Sequence, residues 1–145
     1  MKIKNVWKKS IIIIILLVCT DSIFYYSWIY NPGLETETYL PLWIRKWSNE
    51  YYNLRTAVPF VVLGYLLEVW QGLSNAAATT NKSSFLLKTV IITAVVVCLA
   101  EGGQFFIATR QPDFRDVFFG ISGGVLGCLV YHLIQKINFL FSKNA

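Results

Sequence analysis

A cluster of polar residues interrupts an otherwise apolar sequence between positions 101 and 116. Its members are Glu101, Gln104, Arg110, Asp113 and Asp116. Glu101 and Gln104 are three residues apart, so they share one face of a helix. Carboxylates can act as acids or bases or hold Mg²⁺, and arginine can bind a phosphate or a carboxylate through paired hydrogen bonds. This segment could therefore bind an anionic group or perform acid–base chemistry.

Glycines at four-residue spacing follow the polar cluster. They are Gly120, Gly123, Gly124 and Gly127. Small residues at this spacing let two membrane helices approach closely. We predict that these glycines pack against a helix, either of the same chain or of a second copy in a homo-oligomer.

The composition indicates a membrane protein. The chain has 145 residues, of which 55% are hydrophobic, and its mean hydropathy is +0.51. Several apolar runs reach the roughly 20 residues that a bilayer-spanning helix needs. We predict a single all-α membrane domain over residues 1–145, with four transmembrane helices at about 10–30, 56–73, 85–108 and 114–134.

The segment from Glu35 to Leu54 carries aromatic and aliphatic residues at helical spacing. Trp43, Trp47 and Tyr51 fall on one stripe, and Pro41 suits a first helical turn. The pattern predicts an amphipathic helix in the first outer loop. This helix could lie in the membrane interface or cover the bundle as a lid.

Three acids fall within predicted spans, where a charge is costly and commonly functional. They are Asp21, Glu68 and Glu101. No span contains a lysine or arginine at mid-depth. We expect at least one of the three to be protonated or to pair with Arg55 or Arg110.

The cysteines and the single histidine predict no metal site and no cofactor. Cys19, Cys98 and Cys128 lie in apolar runs without metal-binding spacing, as small packing residues do. His132 lies near the end of the last run, and we expect it at the level of the lipid headgroups.

The net charge of +5 does not indicate nucleic-acid binding, because the basic residues flank apolar runs instead of forming a patch. One side of the predicted bundle has lysines and no acid, whereas the other has equal numbers of both signs. The positive-inside rule then predicts a multi-pass protein of the cell membrane with both termini in the cytoplasm. The lysines are Lys2, Lys4, Lys8, Lys9, Lys82, Lys88, Lys136 and Lys143.

The order of these motifs resembles the VanZ-like membrane proteins. The similar elements are Glu101-x-x-Gln104-Phe105, Arg110, Asp113-x-x-Asp116-Val117 and the glycines at 123 and 127. A looser similarity extends back to Asn53. Position 120 departs from the family, which often has asparagine there. The resemblance implies low-level resistance to the glycopeptide teicoplanin.

Three functions remain open at this point. The chain could bind or modulate a lipid-linked cell-wall precursor or a lipoglycopeptide in an outer cleft, with membrane lipids as its surroundings. It could be an intramembrane enzyme that uses Glu101, Asp113 and Asp116 on a lipid-linked phosphate or sugar. We favour a non-enzymatic role, because the cluster has no histidine and no serine or cysteine beside a base. Alternatively, these residues could have a purely structural role and join two helices through hydrogen bonds.

Overall fold

A computed structural model describes residues 2–29, 38–74 and 82–144, with side chains for 7–29, 38–74 and 84–143. The five helices in these ranges are α1 (Lys2–Trp28), α2 (Leu42–Glu50), α3 (Tyr52–Ser74), α4 (Lys82–Gln104) and α5 (Phe114–Asn144). Four of them are long and apolar enough to cross a membrane, and α2 is the short fifth helix in the first connecting segment. The predicted all-α fold with four spans and one short amphipathic helix is confirmed.

The centre of the bundle is the contact between α3 and α5. At this contact the glycines of α5 lie directly on the backbone of α3: Gly123 on Ala57, Gly124 on Gly64, and Gly127 on Val61. A Cβ atom at Gly123 or Gly127 would overlap the α3 backbone, and one at Gly64 of α3 would overlap the backbone of Gly124. The small-residue stripe therefore joins two helices within one chain.

The apolar core lies between this pair and the other two long helices. It consists of Ile23, Phe60, Leu63, Leu67, Val97 and Ala100. Helix α4 packs on both α3 and α5, whereas α1 packs on α3 and α4. Ile23 is the buried residue of the α1 span among those whose side chains are described. Helix α1 is therefore peripheral and is held mainly near its C-terminal end.

Helix α2 packs on the start of α3. Its first turn bonds to the carbonyl of Pro41, which precedes the helix. Ser48 on its inner face is buried, whereas Trp43 is 71% exposed. Tyr51 alone separates α2 from α3, so the two helices follow each other almost without a break.

The helix ends differ in places from the predicted spans. Helix α4 ends at Gln104, four residues earlier than predicted, because the N–H groups of Phe105 and Phe106 bond three residues back and tighten the turn. Pro59 lies inside α3 instead of in its first turn, because that helix begins at Tyr52. Helix α5 extends ten residues beyond the predicted end at 134.

Segments 30–37 and 75–81 lie outside the described residues. They include the start of the segment from Glu35 to Leu54 in which the amphipathic helix was predicted. The long helices run antiparallel in chain order, which gives the bundle two ends. We call the end with the turn at 105–113 the turn end, and the end with Trp7 and Lys136 the termini end.

Candidate functional site

Glu101 is buried at the turn end, in the last turn of α4. Its Oε1 accepts a hydrogen bond from Gln104 Nε2 (3.0 Å), and its Oε2 accepts one from the backbone N–H of Asp113 (3.2 Å). The second bond crosses the turn and joins the end of α4 to the start of α5. Glu101 therefore holds the turn closed.

Asp113 caps α5. Its Oδ1 accepts a hydrogen bond from the backbone N–H of Arg115 (2.8 Å), in the second helical position. An aspartate at this position satisfies one of the N–H groups that a helix start leaves unpaired. The carboxylate of Asp113 is thus used in a structural contact.

The C-terminal end of α1 is fastened to the C-terminal end of α4. Ser27 Oγ and Trp28 Nε1 both donate hydrogen bonds to the carbonyl of Ala100, at 3.1 and 3.0 Å. Gln104 Nε2 in turn donates to Ser27 Oγ (3.0 Å). Gly103 allows this contact, since a Cβ atom there would overlap the Trp28 ring.

Arg110 binds the C-terminal end of α1 from the turn. Its Nε donates to the carbonyl of Ile29 (3.0 Å) and its NH2 group donates to that of Tyr26 (2.8 Å). A cation at a helix C-terminus is favoured by the helix dipole. Burial lowers the pKa of Arg110, and the positive charge of Arg55 lowers it further, whereas Glu101 and Asp116 raise it. Two arginines therefore share one partly buried space.

Asp116 lies in the first turn of α5, facing α3. Its Oδ1 accepts a hydrogen bond from Thr56 Oγ1 (2.9 Å). One residue earlier on α3, Arg55 NH1 donates to Ser48 Oγ of α2 (3.3 Å). These contacts bring α2, α3 and α5 together around the same space.

These groups surround a cleft of about 520 Å³ at the turn end, between α1, α3 and the residues around α2. Its polar lining residues include Arg55, Thr56, Glu101, Gln104, Arg110 and Asp116. Its apolar and aromatic lining residues include Ile23, Tyr25, Tyr26, Leu40, Trp47, Val58, Pro59 and Phe60. The cleft thus combines charged groups with apolar and aromatic surface.

The structure separates the members of the predicted cluster by position. Glu101, Gln104, Arg110 and Asp116 line the cleft, but Asp113 is not among the lining residues. An enzyme that uses three carboxylates would need all of them at one place. The arrangement does not favour that alternative, because both oxygens of Glu101 are bonded within the protein and Asp113 caps a helix.

The sequence did not single out several residues that build the site, namely Ser27, Trp28, Ser48 and Thr56. A weak signal existed for Ser27 and Thr56, which are polar residues at the ends of apolar runs. Their partners lie 60 or more residues away along the chain, since Thr56 bonds Asp116 and Ser27 bonds Ala100. No local pattern encodes such pairs.

The two other acids of the spans are not part of the cleft. Asp21 lies exposed on α1. Glu68 is buried toward the termini end, about 18 Å from Thr56 along α3. The glycines lie in the contacts of α5: Gly123 and Gly127 face the α3 backbone, whereas Gly120 and Gly124 face Val97 and Thr93 of α4.

The sequence profile of the VanZ/LLP1 family matches residues 4–135, nearly the whole chain. No curated protein and no solved structure matches it.

Proposed function

The chain belongs to the VanZ/LLP1 family, and on that premise we propose that it binds a lipid-linked envelope component in the turn-end cleft. Through this binding it modulates the response of the cell to lipid-tailed glycopeptides such as teicoplanin. The turn end faces outward in this proposal, because the lysines without acidic neighbours lie toward the opposite end.

The mixed lining of the cleft is the observation that carries the proposal. A lipid-linked sugar or phosphate has a charged head and a long apolar tail. The cleft is lined both by Arg55 and Arg110 and by aromatic and aliphatic side chains. Its volume of about 520 Å³ is within the usual range of small-molecule pockets.

The charges suit an anionic head. Arg55 and Arg110 are close enough to lower the pKa of Arg110, so an anion placed near both would relieve their repulsion. Guanidinium groups bind phosphate and carboxylate with particular geometric fit. Asp116 could accept hydrogen bonds from sugar or amide groups beside that anion. Gln104 could both accept hydrogen bonds from such groups and donate to them.

The aromatic residues suit the tail. Tyr25, Tyr26 and Trp47 line the cleft yet remain more than one-third exposed. Aromatic side chains with a polar tip are favoured at the membrane–water boundary. A ligand could therefore place its head in the cleft while its tail runs along these rings into the bilayer.

Susceptibility of cells that express the chain tests this proposal. Wild type should reduce the killing of cells by teicoplanin but not by vancomycin, which lacks an acyl tail. Arg55→Gln should remove the protection at matched membrane levels, because it removes one of the two guanidinium groups that line the cleft. Its side-chain amide can still donate a hydrogen bond toward Ser48 Oγ, so the local structure should survive. Arg115→Gln is the matched control, because Arg115 is exposed and does not line the cleft.

Two results would contradict the proposal. Wild type could give no protection, or all three chains could protect equally. A direct assay separates binding from resistance. Native mass spectrometry of the purified protein with a polyprenyl phosphate should show a bound molecule for wild type and Arg115→Gln, and a reduced bound fraction for Arg55→Gln.

A further inference from the structure

A second polar cluster lies toward the termini end, away from the cleft. Glu68 of α3 is 1% exposed, and Gln71 and Thr89 beside it are also buried. Cys128 and His132 of α5 complete the cluster. Along α4, about 18 Å separates Thr89 from Glu101. The apolar core residues Phe60, Leu63, Leu67 and Val97 lie between the two regions.

The two oxygens of Glu68 have different surroundings. Oε1 accepts a short hydrogen bond from Thr89 Oγ1 (2.6 Å), and Gln71 Nε2 donates to the same hydroxyl (2.9 Å). Among the residues that the structure describes, no donor meets the buried Oε2 in hydrogen-bonding geometry. Oε2 lies 3.5 Å from His132 Nε2, the distance of an ion pair when the histidine is protonated. A fully buried carboxylate oxygen thus faces the histidine without a hydrogen bond to it.

Possible metal-ligand atoms of three residues lie close together around Glu68. One ligand atom each from Glu68, Cys128 and His132 lies within 4.8 Å of the other two. In a tetrahedral zinc site with bonds of about 2.0–2.3 Å, ligand atoms are about 3.3–3.6 Å from one another. The Glu68–His132 separation of 3.5 Å already has this value. We propose that Glu68, Cys128 and His132 bind a divalent transition-metal ion of the zinc type.

Charge balance supports a metal ion in this position. An ionised carboxylate inside the membrane is costly unless a positive charge accompanies it. A divalent ion bound by one carboxylate, one thiolate and one neutral imidazole forms a neutral unit. Binding releases the thiol proton of Cys128 to the solvent. The site thus places no net charge in the bilayer.

The ligand types select the class of metal. A mixture of oxygen, sulfur and nitrogen donors suits Zn²⁺ and Co²⁺ and disfavours Mg²⁺ and Ca²⁺, which take oxygen donors. Three protein ligands leave one tetrahedral position for a water molecule or another ligand. The His132 side chain is 32% exposed, so a metal ion would approach past the histidine.

The surrounding hydrogen bonds resemble the supporting shell of a metal site. Metal-binding carboxylates are usually held by further hydrogen bonds that fix their orientation. The bonds from Gln71 to Thr89 and from Thr89 to Glu68 do this here. Cys128 and His132 are four residues apart on α5 and so share a helix face.

Cobalt titration of the purified full-length protein, stripped with chelator in detergent, tests the site. We expect one Co²⁺ bound per chain, with the visible spectrum of a tetrahedral site and a thiolate-to-cobalt band in the near ultraviolet. Cys128→Ser should lose that band and bind Co²⁺ at least tenfold more weakly. Cys98→Ser is the matched control, since Cys98 is an exposed cysteine on α4, and it should behave as wild type.

The proposal is overturned if wild type binds no Co²⁺ or if the thiolate band persists in Cys128→Ser. Neither result depends on whether the variant protein is less stable than wild type. Glu68→Gln provides a second ligand variant, because its amide oxygen can still accept the Thr89 hydrogen bond. It should weaken Co²⁺ binding while the protein remains monodisperse on gel filtration, and unchanged affinity would also overturn the site.

Discussion

The Oε2 atom of Glu101 accepts a hydrogen bond from the backbone N–H of Asp113 across the turn between α4 and α5, at 3.2 Å. This bond changes the interpretation of the polar cluster. Glu101 and Asp113 are adjacent in space because they build the turn, whereas Arg110 and Asp116 present charge to the cleft. Residues 101–116 thus include a pair that closes the turn and two charged residues that line the cleft without closing it.

Glu101→Gln should destabilise the turn by about 1.5–3 kcal/mol, the usual contribution of a hydrogen bond to a charged group. The amide cannot accept at both positions, so either Gln104 or the Asp113 N–H loses its acceptor. Thermal unfolding in detergent would show a lower melting temperature. Asp113→Asn is the comparison, because asparagine also caps helices well. A larger loss for Asp113→Asn than for Glu101→Gln would contradict this assignment.

Gly123→Ala should destabilise the α3–α5 contact by about 1–3 kcal/mol, the usual cost of forcing extra volume into a packed interface. The added methyl group would overlap the carbonyl of Ala57. Gly102→Ala is the control within another helix, because no atom lies within 4 Å of a Cβ built there. It should be neutral or gain up to about 1 kcal/mol from helix propensity. The melting temperatures of the two variants, each compared with wild type, test this prediction. Equal shifts would contradict the close packing of α3 and α5.

Trp47→Ala should weaken the binding of a polyprenyl phosphate about tenfold, or about 1.4 kcal/mol. Trp47 lines the cleft and would lose apolar contact with the tail. Trp43→Ala provides the matched control on the same helix, since Trp43 is 71% exposed and does not line the cleft. Native mass spectrometry with both variants measures the bound fraction. An equal loss of bound fraction in both variants would indicate that the tail does not contact Trp47 specifically.

Thr89→Val should reduce the affinity for Co²⁺ about 10- to 100-fold, as the loss of a hydrogen bond that orients a metal ligand usually does. The hydroxyl that holds Glu68 Oε1 disappears, so the carboxylate loses its fixed orientation. Thr93→Val is the matched control, because Thr93 is equally buried and its hydroxyl bonds the Thr89 carbonyl. An equal effect of both variants in the cobalt titration would indicate a general packing defect.

The sequence was informative where the signal is local. Apolar run length located the four long helices, and the aromatic stripe indicated α2. The resemblance carried by the motifs from Glu101 to Gly127 is confirmed by the family match. The predicted helix ends were less accurate. Helix α3 begins at Tyr52, ahead of Pro59, and α5 continues past the predicted end at 134.

The grouping of polar residues was decided by the tertiary structure. His132 was expected at the headgroups on its own, and Cys128 as a packing residue, yet the fold places both beside Glu68 of another helix. Asp21 and Glu68 looked equivalent as acids within spans, but one is exposed and the other buried. Helical periodicity gives the residues that share a face, but not the helix that the face meets.

By itself, then, the sequence determined that this is a four-span helical membrane protein of the VanZ/LLP1 family, because the bilayer imposes length and apolarity on each span separately. The fold alone decided that Thr56 meets Asp116, that Arg110 meets the end of α1, and that Glu68 meets His132. These pairs depend on how the glycines of α5 let α3 approach, which fixes the rotation of each helix about its axis. The sequence near any one of these residues does not show which distant residue it will contact.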